Sequence, residues 1–317
     1  MIRISERANK HISQYSVLVI VAGFFAITSC GGIRDGKNDV TKAPRTKRFA
    51  IVVERDLSVI LNTAIDLRSR KATYKYRFNN LKDRAVSLKF RRPKTIKKPF
   101  TLDIPTKGAK DLEYQEDITV TAISDKTRMT QIHPYLYLIG DKQEERILVS
   151  KYSLDVELQL PDGARLLKSI IPFKQEGPVI LRWRGEGITA VPPIELWYTL
   201  AEEEVSISKE FVEDGDEITI TIAVTNESQG TVNGLRLRTQ FPKGIYRIFE
   251  DESDGEFRLL DNNTYRWLAG INVIDRGKSQ SFTIVLKKVF SGGPVIDLEI
   301  LAYNKDGDLI AIAPAER

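Results

Sequence analysis

The chain has 317 residues, 42% hydrophobic and 29% charged, with a formal net charge of +5. That apolar content is ample for a packed core and excludes a disordered polyelectrolyte. A single cysteine excludes an intramolecular disulfide, and only two histidines, His11 and His133, are present.

The first element is a leader over residues 1–29. Arg3, Arg7 and Lys10 precede a twelve-residue apolar stretch, Val17 to Thr28. A spanning helix needs roughly 20 apolar residues, so this stretch reads as the short hydrophobic region of an export signal. It ends in Ile27-Thr28-Ser29-Cys30, an apolar residue, two small ones and the lone cysteine. This run resembles the lipobox of bacterial lipoproteins. The resemblance implies cleavage before Cys30, a diacylglycerol on its thiol, and attachment to the membrane through that lipid. Gly31 rather than Asp follows the cysteine, which favours the outer membrane. An uncleaved anchor and a plain secretory signal are the competing readings. Cleavage removes three cations and one further acid, Glu6, taking the net charge from +5 to +3, and it leaves His133 as the only imidazole. A multi-histidine metal site within one mature chain is thereby excluded. His133 precedes Pro134, which places it in extended or turn backbone as an ordinary loop or strand residue.

Residues 30–48 carry no apolar period and several chain breakers, and they read as the lipidated cysteine followed by a flexible tether. The eighteen residues after Cys30 reach about 20–25 Å as a coil. From Phe49 onward the period is two. Tyr74, Tyr76 and Phe78 alternate with Lys75 and Arg77, and Val86, Leu88 and Phe90 alternate with Ser87, Lys89 and Arg91. The pattern predicts a hairpin with one apolar and one basic face. Further strands are expected at 118–122, 135–139 and 154–160, with turns at Gly140-Asp141 and Pro161-Asp162-Gly163. Residues 49–200 are long for one sandwich, so extra strands or an inserted loop are expected around 94–116.

Residues 201–317 open on the acidic break Ala201-Glu202-Glu203-Glu204. Beyond it, strands are expected at 205–212, 217–226, 234–241, 256–260, 264–268, 279–288 and 295–303. Seven short strands at regular spacing are the pattern of an Ig-like sandwich. The run Val205-Ser206-Ile207-Ser208-Lys209, then Glu217-Ile218-Thr219-Ile220-Thr221-Ile222-Ala223-Val224-Thr225-Asn226, Phe241-Pro242-Lys243-Gly244 and Trp267-Leu268-Ala269-Gly270 resembles the "conserved repeat" domain of bacterial surface and exported proteins. The resemblance covers about residues 203–303 and implies an Ig-like module without catalytic or binding residues to carry over. A fainter echo runs through Leu158-Gln159-Leu160-Pro161-Asp162-Gly163, Leu181-Arg182-Trp183 and Leu196-Trp197-Tyr198, suggesting a divergent repeat upstream. The fold class expected is therefore all-β, tandem Ig-like β-sandwiches behind a lipoprotein signal peptide.

The sharpest charge feature is residues 68–98, with thirteen Lys or Arg against the single acid Asp83. Lys75, Arg77, Lys89 and Arg91, extended by Arg92, are the candidate anion-binding residues, through which lipid headgroups, anionic glycans or an acidic partner could be held. The bland counterpart is a solvated sheet face. The loops Glu250–Asp254 and Asn304–Asp308 gather carboxylates as Ca²⁺ requires, but neither has EF-hand spacing and Asp-Gly steps are ordinary turns. Trp183, Trp197 and Trp267 fall inside strand patterns and read as core residues. No carboxylate pair stands out for glycoside hydrolysis, and no phosphate loop or nucleophile elbow occurs. The sequence thus reads as a non-enzymatic lipoprotein of the bacterial cell envelope, without cofactor or metal, displaying Ig-like modules to a protein or envelope polymer rather than to nucleic acid. The alternative is a module binding anionic glycan or lipid through the basic face of 68–98, with a carbohydrate-active enzyme third.

Overall fold

A computed structural model describes residues 50–91, 100–134, 137–139, 145–188, 193–260, 263–290 and 298–315. The leader, Cys30, the tether and Arg92 lie outside the described residues. Arg48–Arg317 form one compact unit. Within it the chain is all-β, arranged as tandem Ig-like sandwiches, each closed over its own apolar core.

The first sandwich runs β1 (Ala50–Asp66), β2 (Lys71–Asn80), β3 (Val86–Arg91), β4 (Phe100–Ile104), β5 (Ala109–Asp117), β6 (Val120–Ala122), β7 (Thr127–Ile132), β8 (Tyr137–Ile139), β9 (Glu145–Gln159), β10 (Arg165–Ser169), β11 (Lys174–Gln175), β12 (Ile180–Ile188) and β13 (Ile194–Thr199). Its large sheet has the order β4-β3-β8-β9-β1-β2-β5, with β12 also on β9 and β11 on β12. The small sheet is β10-β13-β7-β6. β1 and β9 pair in parallel from Ala50↔Glu145 to Asp66↔Gln159, with an irregularity between Glu54 and Ser58. Strict alternation fills the space between the sheets: β2 buries Ala72, Tyr74, Tyr76 and Phe78, and these meet Val156 and Leu158 of β9 and Ile194 and Leu196 of β13 in one core. Each Val, Leu, Ile or Phe side chain so removed from water contributes about 1.5–3 kcal/mol.

The expected hairpin is corrected here. Val86–Phe90 does not return against Tyr74–Phe78; β2 lies between β1 and β5, while β3 lies between β4 and β8. A period of two fixes which side chains face inward and leaves the partner strand open. The chain leaves β2 at Asn80, whose side chain holds the exit by donating to the carbonyls of Arg84 (2.8 Å) and Pro105 (3.0 Å). The stretch expected to hold extra strands supplies β4 and most of β5.

Thr63 is one irregularity in this core. Its side chain is buried near the C-terminal end of β1, opposite Tyr74 and Val156, and its hydroxyl has no hydrogen-bond partner. A buried hydroxyl without a partner costs on the order of 1 kcal/mol or more. Thr63→Val replaces it with a methyl of similar size. We expect the variant to be about 1 kcal/mol more stable, read as a higher urea midpoint with an unchanged slope.

The second sandwich runs β14 (Val205–Asp214), β15 (Glu217–Asn226), β16 (Val232–Pro242), β17 (Tyr246–Ile248), β18 (Glu256–Leu260), β19 (Thr264–Ile274), β20 (Ser279–Lys288), β21 (Ile300–Tyr303) and β22 (Leu309–Ala313). One sheet is β14-β15-β20-β17 and the other β18-β19-β16-β21-β22. β15 shows why the strand forms: Ile218, Ile220, Ile222 and Val224 point inward, and threonines fill most of the outer face. β17 and β22 were not expected from the sequence. The first is three residues long, and the second, Leu309-Ile310-Ala311-Ile312-Ala313, is apolar throughout and lacks alternation. Ile310, Ala311 and Ala313 belong to the second core, and the strand also runs close to β14 and to β10 of the first sandwich.

Trp267 is the central pin of this core. It is fully buried, stands edge-on to Phe282 with ring centroids 5.9 Å apart, and donates its indole N–H to the Asp254 carbonyl at 2.6 Å. The upstream echo is carried by the antiparallel pair β9–β12, which parallels β16–β19. It extends to the closing strand, which in each sandwich lies in the sheet opposite that pair: β20 on β15, and β13 between β7 and β10.

Candidate functional site

The candidate anion site rests on β2, where Lys75 and Arg77 stand exposed on the outer face of the large sheet. Both face acids on β5: Lys75 Nζ lies 3.5 Å from Glu113 Oε1, and Arg77 is in register with Asp111. The same pairing continues at Lys71↔Asp117. On the far side the register row runs Glu113–Lys75–Asn62–Asp155–Arg184 across five strands. The outer face is therefore a set of columns, acidic on β5, basic on β2, uncharged on β1 up to Asp66 at its end, acidic on β9 and basic on β12. Opposite charges directly across a ladder stabilise the sheet by about 0.2–1 kcal/mol per pair and cancel each other's field at a distance.

The firmest of these contacts is on β9. Asp155 accepts two hydrogen bonds from Arg182, at 2.7 and 2.5 Å, and a third from Arg184 at 3.3 Å. The Arg182 guanidinium holds the Asp155 carboxyl below the ordinary carboxylate range, and the carboxylate in turn pushes the guanidinium up.

Lys89 does not join Lys75 and Arg77. Along the ladder Lys89 is matched to Ile139 and then to Arg146 of β9, whereas Lys75 is matched through Asn62 to Asp155. The offset from Arg146 to Asp155 is on the order of 30 Å at about 3.3 Å per residue. Arg91 follows Lys89 on β3, opposite Tyr137. The structure thus brings Lys75 and Arg77 together and separates them from Lys89 and Arg91.

Behind the columns lies an aromatic layer. Tyr74 and Tyr114 approach to 4.8 Å between ring centroids, and Tyr76 stacks between Phe78 (5.8 Å) and Tyr114 (5.9 Å). Tyr74 donates to Glu116 at 2.7 Å, and Tyr76 donates to the Pro134 carbonyl. Burial pushes the Tyr76 phenol well above its ordinary pKa and the Tyr152 phenol up to about 12. His133 lies exposed directly after β7.

The two acidic loops are used by the fold. Asp254 accepts the Thr283 N–H at 2.7 Å through its carboxylate and holds Trp267 through its carbonyl. In the loop between β21 and β22, Asn304 accepts the N–H groups of Asp306 (3.1 Å) and Asp308 (2.8 Å). Asp308 is 4% exposed and accepts from the Ser124 hydroxyl at 2.6 Å and the Lys126 N–H at 2.7 Å, both in the first sandwich. Among the described residues no group of three or more His, Cys, Asp or Glu is placed to hold a metal ion.

Beside this contact is a cleft of ≈ 560 Å³, lined by Lys126, Glu202, Glu203, Ser228, Asn304 and Asp308 among others. Sequence reasoning passed over it, because Asn-Lys-Asp-Gly-Asp reads locally as a hairpin turn. Its bonds reach residues more than 180 positions earlier in the chain, and no local pattern signals them.

Trp183 and Trp197 are partly buried, against the full burial of Trp267. The Trp197 indole N–H donates to Glu195 at 3.2 Å on the outer face of the small sheet. No family model and no curated protein matches the chain.

Proposed function

We propose that this protein is a lipid-anchored component of the bacterial cell envelope, held through Cys30, that presents two Ig-like sandwiches to a protein or envelope polymer. The observation that carries the reading is where the chemistry-bearing groups go. Asp254 pins Trp267, Asp308 ties the two sandwiches together, Asp155 is held by Arg182 and Arg184, and the β2 cations face β5 acids. Residues that could have formed a reactive centre hold the fold, which leaves surface presentation as the role. The charge columns weigh against capture of anions by β2, since an incoming phosphate or sulfate must compete with Glu113 for Lys75 and meets the like charge of Asp111 opposite Arg77.

The anchor is tested by labelling growing cells with a tagged fatty acid. The wild-type chain should take up label and Cys30→Ser should lose it; equal labelling of the two removes the anchor. Crosslinking in intact cells then tests presentation. Capture of a defined envelope protein or polymer, unchanged by high salt and by Lys75→Glu with Arg77→Glu, is the expected result. Capture abolished by either treatment would return the role to the basic strand.

A further inference from the structure

Buried polar side chains concentrate where the two sandwiches meet. Thr127 and Thr199 are fully buried at the ends of β7 and β13, and Asn304 and Asp308 are 3% and 4% exposed. Leu309, 1% exposed, belongs to neither hydrophobic core. Its carbonyl accepts the Thr127 hydroxyl at 2.9 Å. At the flanks Lys168 bonds the Glu299 carboxylate, and Arg165 bonds the Glu203 carbonyl with Glu204 at 3.7 Å.

We propose that the turn Asn304–Asp308 is a latch that locks the second sandwich onto the first, with Asp308 as its key, so that the pair moves as one rigid arm. The inference goes beyond surface presentation and holds with or without a lipid at Cys30. Sandwiches joined by a short polar segment such as Ala201–Glu204 move relative to one another by default unless the interface is tied. Here the ties are directional. Asn304 takes up the N–H groups inside the turn and thereby turns the Asp308 carboxylate outward, and the two hydrogen bonds described for that carboxylate both cross to the first sandwich. A carboxylate this deeply buried is tolerated only while its partners stay in place. The latch has one closed geometry, and sliding of the joint leaves Asp308 buried without its donors.

Spin–spin distances measured on the full chain test this. Cys30→Ser removes the native thiol, and exposed probe sites are made by Glu157→Cys in the first sandwich and Arg258→Cys in the second. We expect one narrow interprobe distance in this background and in Asp308→Asn, which keeps the accepting oxygen. Asp308→Ala should lose the narrow peak and give a broad distribution. Ser124→Ala removes a donor from the other side of the contact, without touching the second sandwich, and should broaden it in the same direction even if Asp308→Ala misfolds. A broad distribution in the starting background, or an unchanged narrow peak in a folded Asp308→Ala or in Ser124→Ala, overturns the latch. Because Cys30 is already replaced, neither result depends on the anchor.

Discussion

Gly255→Ala should unfold the second sandwich far more readily than any other glycine substitution tested in it. Gly255 sits at φ +85°, where an L side chain is strained, and a Cβ there would lie 2.6 Å from the Leu268 carbonyl and 2.7 Å from the Trp267 indole nitrogen. Neither neighbour can withdraw. Leu268 is in the middle of β19, and the indole is fixed by its bond to Asp254 and by Phe282. The methyl therefore has to expel Trp267 from its seat, adding loss of packing to loss of a buried hydrogen bond. We expect a cost of about 3–4 kcal/mol, in the range of a large core truncation. Gly215 and Gly277 provide the comparison. They have φ +63° and +68° with nothing within 4 Å of a new Cβ, so alanine there meets backbone strain alone, about 1 kcal/mol. Urea unfolding of the three variants separates the two effects. A Gly255→Ala midpoint equal to the Gly215→Ala midpoint would show that the Trp267 seat yields freely.

Asn226→Ala is the second large loss expected. Asn226 ends β15 with no exposed surface. Its amide donates to the carbonyls of Gly230 (2.8 Å) and Ile274 (2.9 Å) and its oxygen accepts the Ser228 N–H at 2.8 Å. Truncation leaves three backbone groups without partners, at about 1–3 kcal/mol for each that stays buried, so a total of about 3 kcal/mol is a conservative expectation. Asn226→Asp should be worse at neutral pH, because a carboxylate would face two carbonyl oxygens that want a donor. The urea midpoints should fall in the order wild type, Asn226→Ala, Asn226→Asp at pH 7. Near pH 3 the aspartate variant should recover as its carboxyl protonates and regains a donor. An aspartate variant as stable as wild type at pH 7 would mean that the site opens to water.

The same arrangement occurs at Asn80, which ends β2, donates to the carbonyl four residues on and accepts the Lys82 N–H at 3.0 Å. The two sandwiches thus share a device at the end of a central strand. It is stronger evidence of a common plan than the Pro-x-Gly echo, and it was invisible beforehand because asparagine before a turn is unremarkable in any sequence. What the sequence did express was inward and outward alternation. Strands 217–226, 256–260 and 279–288 have the expected ends, because Asp, Asn, Gly or Ser stands at or near their boundaries and isoleucine, leucine, valine or phenylalanine fills their inner positions. Strand partnership was not expressed. Lys75 and Lys89 share a phase in the pattern, yet three strands separate them, since nothing local records that β8, β9 and β1 intervene. The acids that face Lys75 and Arg77, Glu113 and Asp111, lie more than thirty residues downstream, in a stretch that read only as extra strands or an inserted loop.

The parallel ladder between β1 and β9 has a consequence in time. Ala50 pairs with Glu145 and Asp66 with Gln159, so the first strand of the first sandwich is completed only after nearly a hundred further residues have been made. Until β9 arrives, β1 has β2 on one side and a bare edge on the other, along which Val59, Leu61 and Ile65 lack most of their cover. β14 and β15, by contrast, meet through the two-residue gap between Asp214 and Glu217. Distant pairings fold slowly because the loop entropy is lost before the contacts form. The second sandwich, begun by that short connection, is therefore poised to fold soon after it emerges, while the first waits for β9 as the part of the nascent chain most in need of protection from aggregation.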